Sequence, residues 1–338
     1  MKKLFSATAI ALALSAGAAL AADLPALKAP ILPPPPPPPI WTGFYIGLNA
    51  GYSWGASNNI DVGTVNLYDT FGNNGLLPFV IDPGAGAAAL AASGTVNAQR
   101  NGFIGGGQVG YNYQFGNHFL VGLEADLQGT GIRSENSFTG AANWNAFNVA
   151  VGPFGLALDR SAAGTTTVTS RTDWLGTVRG RLGYIWGPSF LIYATGGLAY
   201  GGAQATTHQS LFINNNLSAT ILGAQVFGLS VPYGSIGGVG RYNESRIGWT
   251  VGGGIEWLFA PNLSFKAEYL YYDLGTVRFQ NGPLAAVGPQ VTVLGFTSPL
   301  LTSINQGITR VKFDGHIARV GINYHFVSAP PVPVVARY

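Results

Sequence analysis

An all-β chain, closing as an eight-stranded antiparallel transmembrane β-barrel with short periplasmic turns and long extracellular loops, is predicted by three features of these 338 residues. Hydrophobic residues make up 47% of the chain and charged residues only 9%, too little charge to coat a surface that faces water. Glycine is abundant, at 49 residues, and beyond the N-terminal run no apolar stretch is continuous enough for a spanning helix. Strict apolar–polar alternation recurs eight times, which is the period of a strand with one face in lipid. One face is aromatic-rich throughout, which argues against a soluble β-sandwich.

The N-terminus is read as an export signal. Lys2 and Lys3 precede an apolar run from Leu4 to Leu20, and Ala19-Leu20-Ala21 is a small-x-small cleavage site. Residues 1–21 are therefore expected to be removed, with the mature chain starting at Ala22 or Asp23. The chain has no cysteine, which argues against a lipoprotein anchor, a disulfide framework or a thiolate metal site. Residues 22–40 form a proline-rich periplasmic spacer. Its core, Pro33 to Pro39, would be a stiff rod of about 20 Å, at ~3.1 Å per residue. Such a spacer is expected to keep the mature N-terminus clear of the barrel rim, the functional alternative being a contact with peptidoglycan or a periplasmic partner. Without Lys2 and Lys3, the 17 Lys and Arg fall to 15 against 14 Asp and Glu, so no basic patch points to nucleic acid.

Residues 41–326 carry the barrel. In the first strand, Trp41 to Trp54, one face holds Phe44, Ile46, Leu48, Ala50, Tyr52 and Trp54, and the other Tyr45, Gly47, Asn49, Gly51 and Ser53. The second strand, about 100–115, puts Phe103, Val109, Tyr111, Tyr113 and Phe115 outward. The others follow at 118–130, 172–186, 189–203, 245–259, 263–274 and about 311–326. Gly116-Asn117, Gly187-Pro188 and Pro261-Asn262 are tight turn signals between the second and third, fourth and fifth, and sixth and seventh strands. Between the other pairs lie long stretches near 55–99, 131–171, 204–244 and 275–310, expected to be loops. Short turns at one rim and long loops at the other define the periplasmic and extracellular ends.

Alternation also places charge inside. Glu124, Asp126, Arg179, Arg181, Arg246, Glu256, Lys266, Glu268 and Arg319 all fall on the inward face, four acidic and five basic. An unpaired charge in a confined lumen costs several kcal/mol, so this near-balance predicts a salt-bridge network. An eight-stranded barrel is only wide enough for its own side chains. At most a narrow or transient conduction path is expected.

Several stretches resemble a known family. They are Ala22-Asp-Leu-Pro25 with the proline-rich segment, Trp41 to Gly55, Thr172 to Tyr184, Tyr193 to Gly201, and Lys266 to Gly275. Together they resemble the small outer-membrane barrels of alphaproteobacteria, the RopB-like and haemin-binding "porin family" proteins, distantly similar to the transmembrane domain of OmpA. The resemblance implies an abundant structural protein of the cell outer membrane, embedded among its lipids and lipopolysaccharide, some relatives of which bind haem or host surfaces. Arg319-Val-Gly-Ile-Asn-Tyr-His-Phe326 also resembles the signal read by the barrel-assembly machinery, with Arg319, Gly321, Tyr324 and Phe326 in its defining places. The chain departs from the family by continuing through a proline-rich tail, residues 327–338.

No catalytic, cofactor or metal constellation emerges. His208-Gln209-Ser210 resembles the nucleophile pair of lipid A deacylases, but no neighbouring carboxylate orients the base, and a polar loop segment is expected. The other histidines, His118, His316 and His325, lack metal spacing, and His118 and His325 are placed at the periplasmic rim, interfacial. Gly105–Gly107 and Gly252–Gly254 sit inside strands with no following helix, so they are read as relief of crowding rather than phosphate loops. The functional alternatives are a structural envelope barrel, a small diffusion channel, and a surface binder of haem or a host molecule. For haem the available contacts are His208, Tyr68, Tyr233 and Tyr242.

Overall fold

The structure is a computed structural model; it describes residues 40–69, 84–287, 292–293, 296–297 and 302–327. The expected export signal, proline run and C-terminal tail lie outside these residues. Among the described residues, twelve strands and one helix follow in chain order. They are β1 (Gly43–Gly55), β2 (Asn59–Asp69), α1 (Gly84–Ala91), β3 (Gly94–Asn97), β4 (Asn101–Phe115), β5 (Phe119–Val151) and β6 (Phe154–Trp186). After these come β7 (Phe190–Ile221), β8 (Ala224–Ala260), β9 (Leu263–Val287), β10 (Thr292–Val293), β11 (Phe296–Thr297) and β12 (Thr302–Val327). Every pairing is antiparallel, and a ring closes through eight of the strands, β1-β4-β5-β6-β7-β8-β9-β12, where β12 returns to β1.

The alternation read from the sequence is the alternation observed. Phe44, Ile46, Leu48, Ala50, Tyr52 and Trp54 are exposed on the outside of β1, and Tyr45, Asn49 and Ser53 are buried inside. Outward aromatics gather in two rows. Near one rim Phe44 meets Tyr111, and Phe119 meets Phe115 and Tyr184; near the other Trp54 stacks on His316 and Trp249 meets Tyr271. Ten residues separate Phe44 from Trp54, about 33 Å along the strand and about 25 Å along an axis tilted by ~40°. The three tight turns lie where their sequence signals stand, two of them on glycines with φ of 60° and 67°, Gly116 and Gly187.

The expected loops are mostly not loops. Residues 131–171 lie in β5 and β6 apart from a two-residue turn, and 204–244 in β7 and β8 apart from another. The strands are 33, 33, 32 and 37 residues long where 13 to 15 were anticipated. Runs such as Thr165-Thr-Thr-Val-Thr-Ser170 are rich in β-branched residues that suit a pleated surface. The tip of the second hairpin is Leu222-Gly223, with φ of 52° and 81°, the left-handed geometry whose twist matches the flanking strands. The 55–99 stretch holds β2, α1 and β3, and the 275–310 stretch extends β9 and begins β12.

These extensions stand on the barrel through β-bulges at Gly129/Ile132, Thr172/Leu175 and Lys312/Asp314. Below its bulge, β12 pairs with β1; above it, residues Ser303–Arg310 pair with β2, which in turn carries β3. The helix packs against the inner wall with Ala88, Ala91 and Ala92 beside Ala162, Leu211, Ile213 and Leu284. Only small side chains fit there: a Cβ on Gly140 would stand 2.4 Å from the Ala91 carbonyl oxygen.

The two triple-glycine runs do relieve crowding. A Cβ on Gly106 would lie 2.0 Å from the Leu127 carbonyl oxygen and 2.7 Å from the Gln128 Cα, both backbone atoms that cannot swing away. The variant Gly106→Val is expected to lose at least about 1–3 kcal/mol through overpacking. Urea unfolding of the vesicle-reconstituted protein checks this, and an unchanged midpoint would refute it.

Candidate functional site: the buried lumen cluster

Register builds the centre of the lumen from directly opposed charges. Glu124 on β5 faces Arg179 on β6, Glu256 on β8 faces Lys266 on β9, and Glu268 on β9 faces Arg319 on β12. Opposite charges at such positions attract across the strand pair. The lumen then joins the three pairs. Lys266 Nζ lies 2.8 Å from Glu124 Oε1 on the far wall, and Arg319 Nη2 lies 2.8 Å from Asp126 Oδ2. Arg179 reaches three carboxylates: Glu268 at 3.0 Å, Asp126 at 2.9 Å, and Glu124. Arg181 Nη2 donates to Glu256 Oε2 at 2.7 Å. All eight side chains are essentially inaccessible.

Eight of the nine charges placed inside by the sequence thus meet in one cluster, four acidic and four basic. Arg246 is the exception. It is half-buried nearer the far rim, where its Nε donates to the Leu274 carbonyl at 3.4 Å, and it makes no ion pair among the described residues. Removing it from the set turns a five-to-four imbalance into charge equality.

Neutral partners complete the cluster, and alternation alone did not single them out. Tyr45 donates to Glu124 Oε2 at 2.7 Å and Tyr193 to Glu268 Oε1 at 2.9 Å. The Arg181 guanidinium lies over the Tyr193 ring, 3.9 Å from its centre. Glu256 Oε1 accepts from Ser264 and Asn323, each at 2.6 Å. His325, expected at the interface, is instead buried inside: its Nε2 lies 3.3 Å from Glu256 and 2.9 Å from Ser264 Oγ. Even-numbered outward positions on β12 end at Phe326, so the odd position 325 has to face the lumen.

The cluster is one tier of several. On the side of the tight turns Trp41, Leu120, Ile185, Leu191 and Leu258 form an apolar floor, with Trp41 edge-on to His325. On the other side lies a larger apolar tier that includes Ile104, Ile132, Leu175, Leu270, Tyr272, Val311, Phe313 and Ile317. Arg100 and Ser57 clasp Asp314 at its edge, at 3.5 Å and 2.7 Å. Beyond it a polar relay runs Thr309–Asn281–Gln209 to the Ala92 carbonyl at the end of α1.

The remaining candidates do not assemble. His208 and Ser210 lie in β7, not in a loop, both exposed on the outer face, and the Ser210 hydroxyl lies 3.4 Å from that of Ser235. It is Gln209, between them, that turns inward. Tyr242 points to the inner face, stacking on Phe279, so it and His208 stand on opposite sides of the sheet. The side chains of Tyr68 and Tyr233 lie outside the described residues. Of the assembly-signal residues, Arg319 is in the cluster, Gly321 packs on the Leu48 carbonyl, and Tyr324 and Phe326 face outward with ring centres 5.1 Å apart.

A closed antiparallel ring, aromatic outside and ionic within, matches a family model, the outer membrane protein beta-barrel domain, over residues 8–326. The chain belongs to this family. The 31 kDa outer-membrane immunogenic protein of Brucella melitensis is 28% identical over 286 residues, covering 85% of this chain and 84% of that protein. The 22 kDa outer membrane protein of Rhizobium leguminosarum bv. viciae is 27% identical over 206 residues, 58% of this chain and 69% of that one. Among solved structures, OprG from Pseudomonas aeruginosa is similar over 84% of this chain and 97% of its own, at 9% identity and a TM-score of 0.31. The chain is an outer-membrane β-barrel protein, as the resemblance in its strands implies.

Within this outer-membrane barrel, Glu124 is the most shared carboxylate, approached by Arg179, Arg181, Lys266, Arg319 and Tyr45. Glu124→Gln leaves buried cations short of a counter-charge and is expected to cost about 3–5 kcal/mol. Arg246→Gln, outside the cluster, should stay within ~0.5 kcal/mol. Urea unfolding of both reconstituted variants checks the contrast, and equal losses would refute it.

Proposed function

We propose that the chain is an eight-stranded transmembrane barrel that serves the envelope as a structural protein with a closed lumen, its tight turns periplasmic and its long hairpins extracellular. The observation that carries this reading is the sequence of filled tiers. An apolar floor, a charge-neutral ionic cluster and a second apolar tier follow one another along the axis. A permeating ion would have to shed its water to pass the apolar tiers and break several ion pairs to pass the cluster. The outward aromatic rows, about 25 Å apart, match the apolar band of an outer-membrane barrel. Outer-membrane lipids and lipopolysaccharide are its surroundings. Arg319, Gly321, Tyr324 and Phe326 are the residues through which the assembly machinery would engage it. The domain reading completes the proposal: an export signal ends at residue 21, a proline-rich spacer runs over 22–40 toward the peptidoglycan, and a periplasmic tail follows 326.

Diffusion-channel and haem-binding roles have less support. The lumen tiers oppose the first, and the opposed faces of His208 and Tyr242 oppose a shared haem site. A catalytic role would need a base beside Ser210, whose neighbour is another serine hydroxyl. Planar-bilayer recordings test the reading. The wild-type protein is expected to give no steady openings, whereas Phe313→Ala with Val311→Ala, which thins the second apolar tier, should give brief ones. Steady, reproducible wild-type openings would overturn the closed lumen.

A further inference from the structure

Two rows of outward side chains cross the same three strands. The first is aromatic: Trp249 on β8, Tyr271 on β9 and His316 on β12, with ring centres 5.2 and 5.3 Å apart. The second is Arg241 on β8, Arg278 on β9 and Arg310 on β12, all exposed. Arg278 and Arg310 stand directly opposite one another in the antiparallel register. Gly240 packs on the Gln280 carbonyl, which brings Arg241 beside β9.

Like charges directly opposed across a strand pair repel, with Cβ atoms only ~5 Å apart. Another such pair, Arg133 opposite Arg171, is partly compensated within the chain, because Asp173 lies 3.4 Å from Arg171. The row is not. Among the described residues, Arg241, Arg278 and Arg310 make no ion pair or side-chain hydrogen bond. Asp61, opposite Arg310 on β2, instead accepts the Thr95 hydroxyl at 3.1 Å. Lys312, the neighbouring cation, is already held by Asp273 at 3.2 Å and Asp314 at 3.0 Å.

We propose that Arg241, Arg278 and Arg310 bind the anionic sugar headgroup of an outer-leaflet glycolipid, of the lipopolysaccharide class. This rests on the barrel and its orientation argued above. The row lies six to eight residues beyond the aromatic one, about 15–20 Å along the axis at ~3.3 Å per residue and ~40° tilt. That height is above the acyl chains and level with headgroup sugars. Guanidinium groups pair with phosphate and carboxylate in a two-pronged geometry, and a row of three on one continuous, outward-facing wall offers several such contacts at once. The anion would replace the repulsion between Arg278 and Arg310 with a shared counter-charge.

The test uses the full chain reconstituted in phosphatidylcholine vesicles, with lipopolysaccharide titrated in and the unfolding temperature followed. A heat-resistant folded band in vesicles free of lipopolysaccharide tests the barrel reading separately, and its absence would count against that reading alone. Wild-type protein is expected to gain stability as lipopolysaccharide is added. In R278Q/R310Q the midpoint of that gain should move to about tenfold more lipopolysaccharide, the loss of one or more charge-assisted contacts. R133Q/R171Q should match wild type. Should the double variant be poorly folded, R310Q alone carries the test with the same direction of shift. Equal midpoints in wild type and R278Q/R310Q would overturn the site. So would an equal gain from inorganic phosphate without lipopolysaccharide.

Discussion

Lipid supplies no hydrogen-bond partner, so every strand that crosses it must be paired along both edges, and the ring has to close. Closure here is the pairing of β1 with the lower half of β12, thirteen residue pairs from Gly43–Val327 to Gly55–Gly315. Much of the remaining structure follows from it. A ring through eight strands is narrow, and inward side chains must fill it at close quarters. Glycines therefore stand where backbone or tyrosine rings press in: at Gly106 against β5, at Gly110 against the Tyr45 ring, at Gly254 against the Tyr193 hydroxyl.

Charge inside so narrow a ring is confined with little water, and this sets its arithmetic. A lone buried cation would be too costly, whereas four carboxylates and four cations placed on facing walls neutralise one another. The three cross-strand pairs are made by register alone. Lys266 reaching Glu124, and Arg319 reaching Asp126, then tie opposite walls together. The cluster stabilises chiefly by leaving no charge unanswered, which makes it a device for fixing register: a slip of one residue would turn every charge toward lipid.

Much of this was legible in the sequence, because period two is a strong signal when one face is uniformly apolar. The eight ring strands and all eight clustered charges followed from alternation, and the three tight turns from their glycine, proline and asparagine signals. What alternation could not show was distance along the axis. Arg246 has the right parity but sits too near the rim to meet the others. Parity also marked Tyr45 as inward without revealing that its hydroxyl reaches over Gly110 of β4 to Glu124 on β5. His325 is a different failure, since its parity was available and its place near the chain's rim was given more weight. The long hairpins were read as loops because glycine, asparagine and serine interrupt their apolar pattern, and both faces there are too polar for the lipid template.

That last difference has a physical meaning. Within the ring the chain is inverted, with apolar residues outside and charges within. Past the bulges at Gly129/Ile132, Thr172/Leu175 and Lys312/Asp314, the inner face first carries an apolar tier, with Ile132, Val168, Val277, Phe279 and Val311 buried ahead of the polar relay through Thr309, Asn281 and Gln209, while Arg133, Arg171, Arg278 and Arg310 face outward. This is the arrangement of a protein in water, where burial of apolar area stabilises and charge is solvated. One continuous strand such as β5 or β12 therefore obeys two solvents in succession, and the bulges fall where the rule changes. An extra residue at that point re-aims the side chains and bends the strand, so a membrane wall passes into a water-exposed one without breaking the sheet. The edge of the lipid band is thus written in the polarity of the strands themselves, and the aromatic row of Trp54, Trp249, Tyr271 and His316 lies on its lipid side.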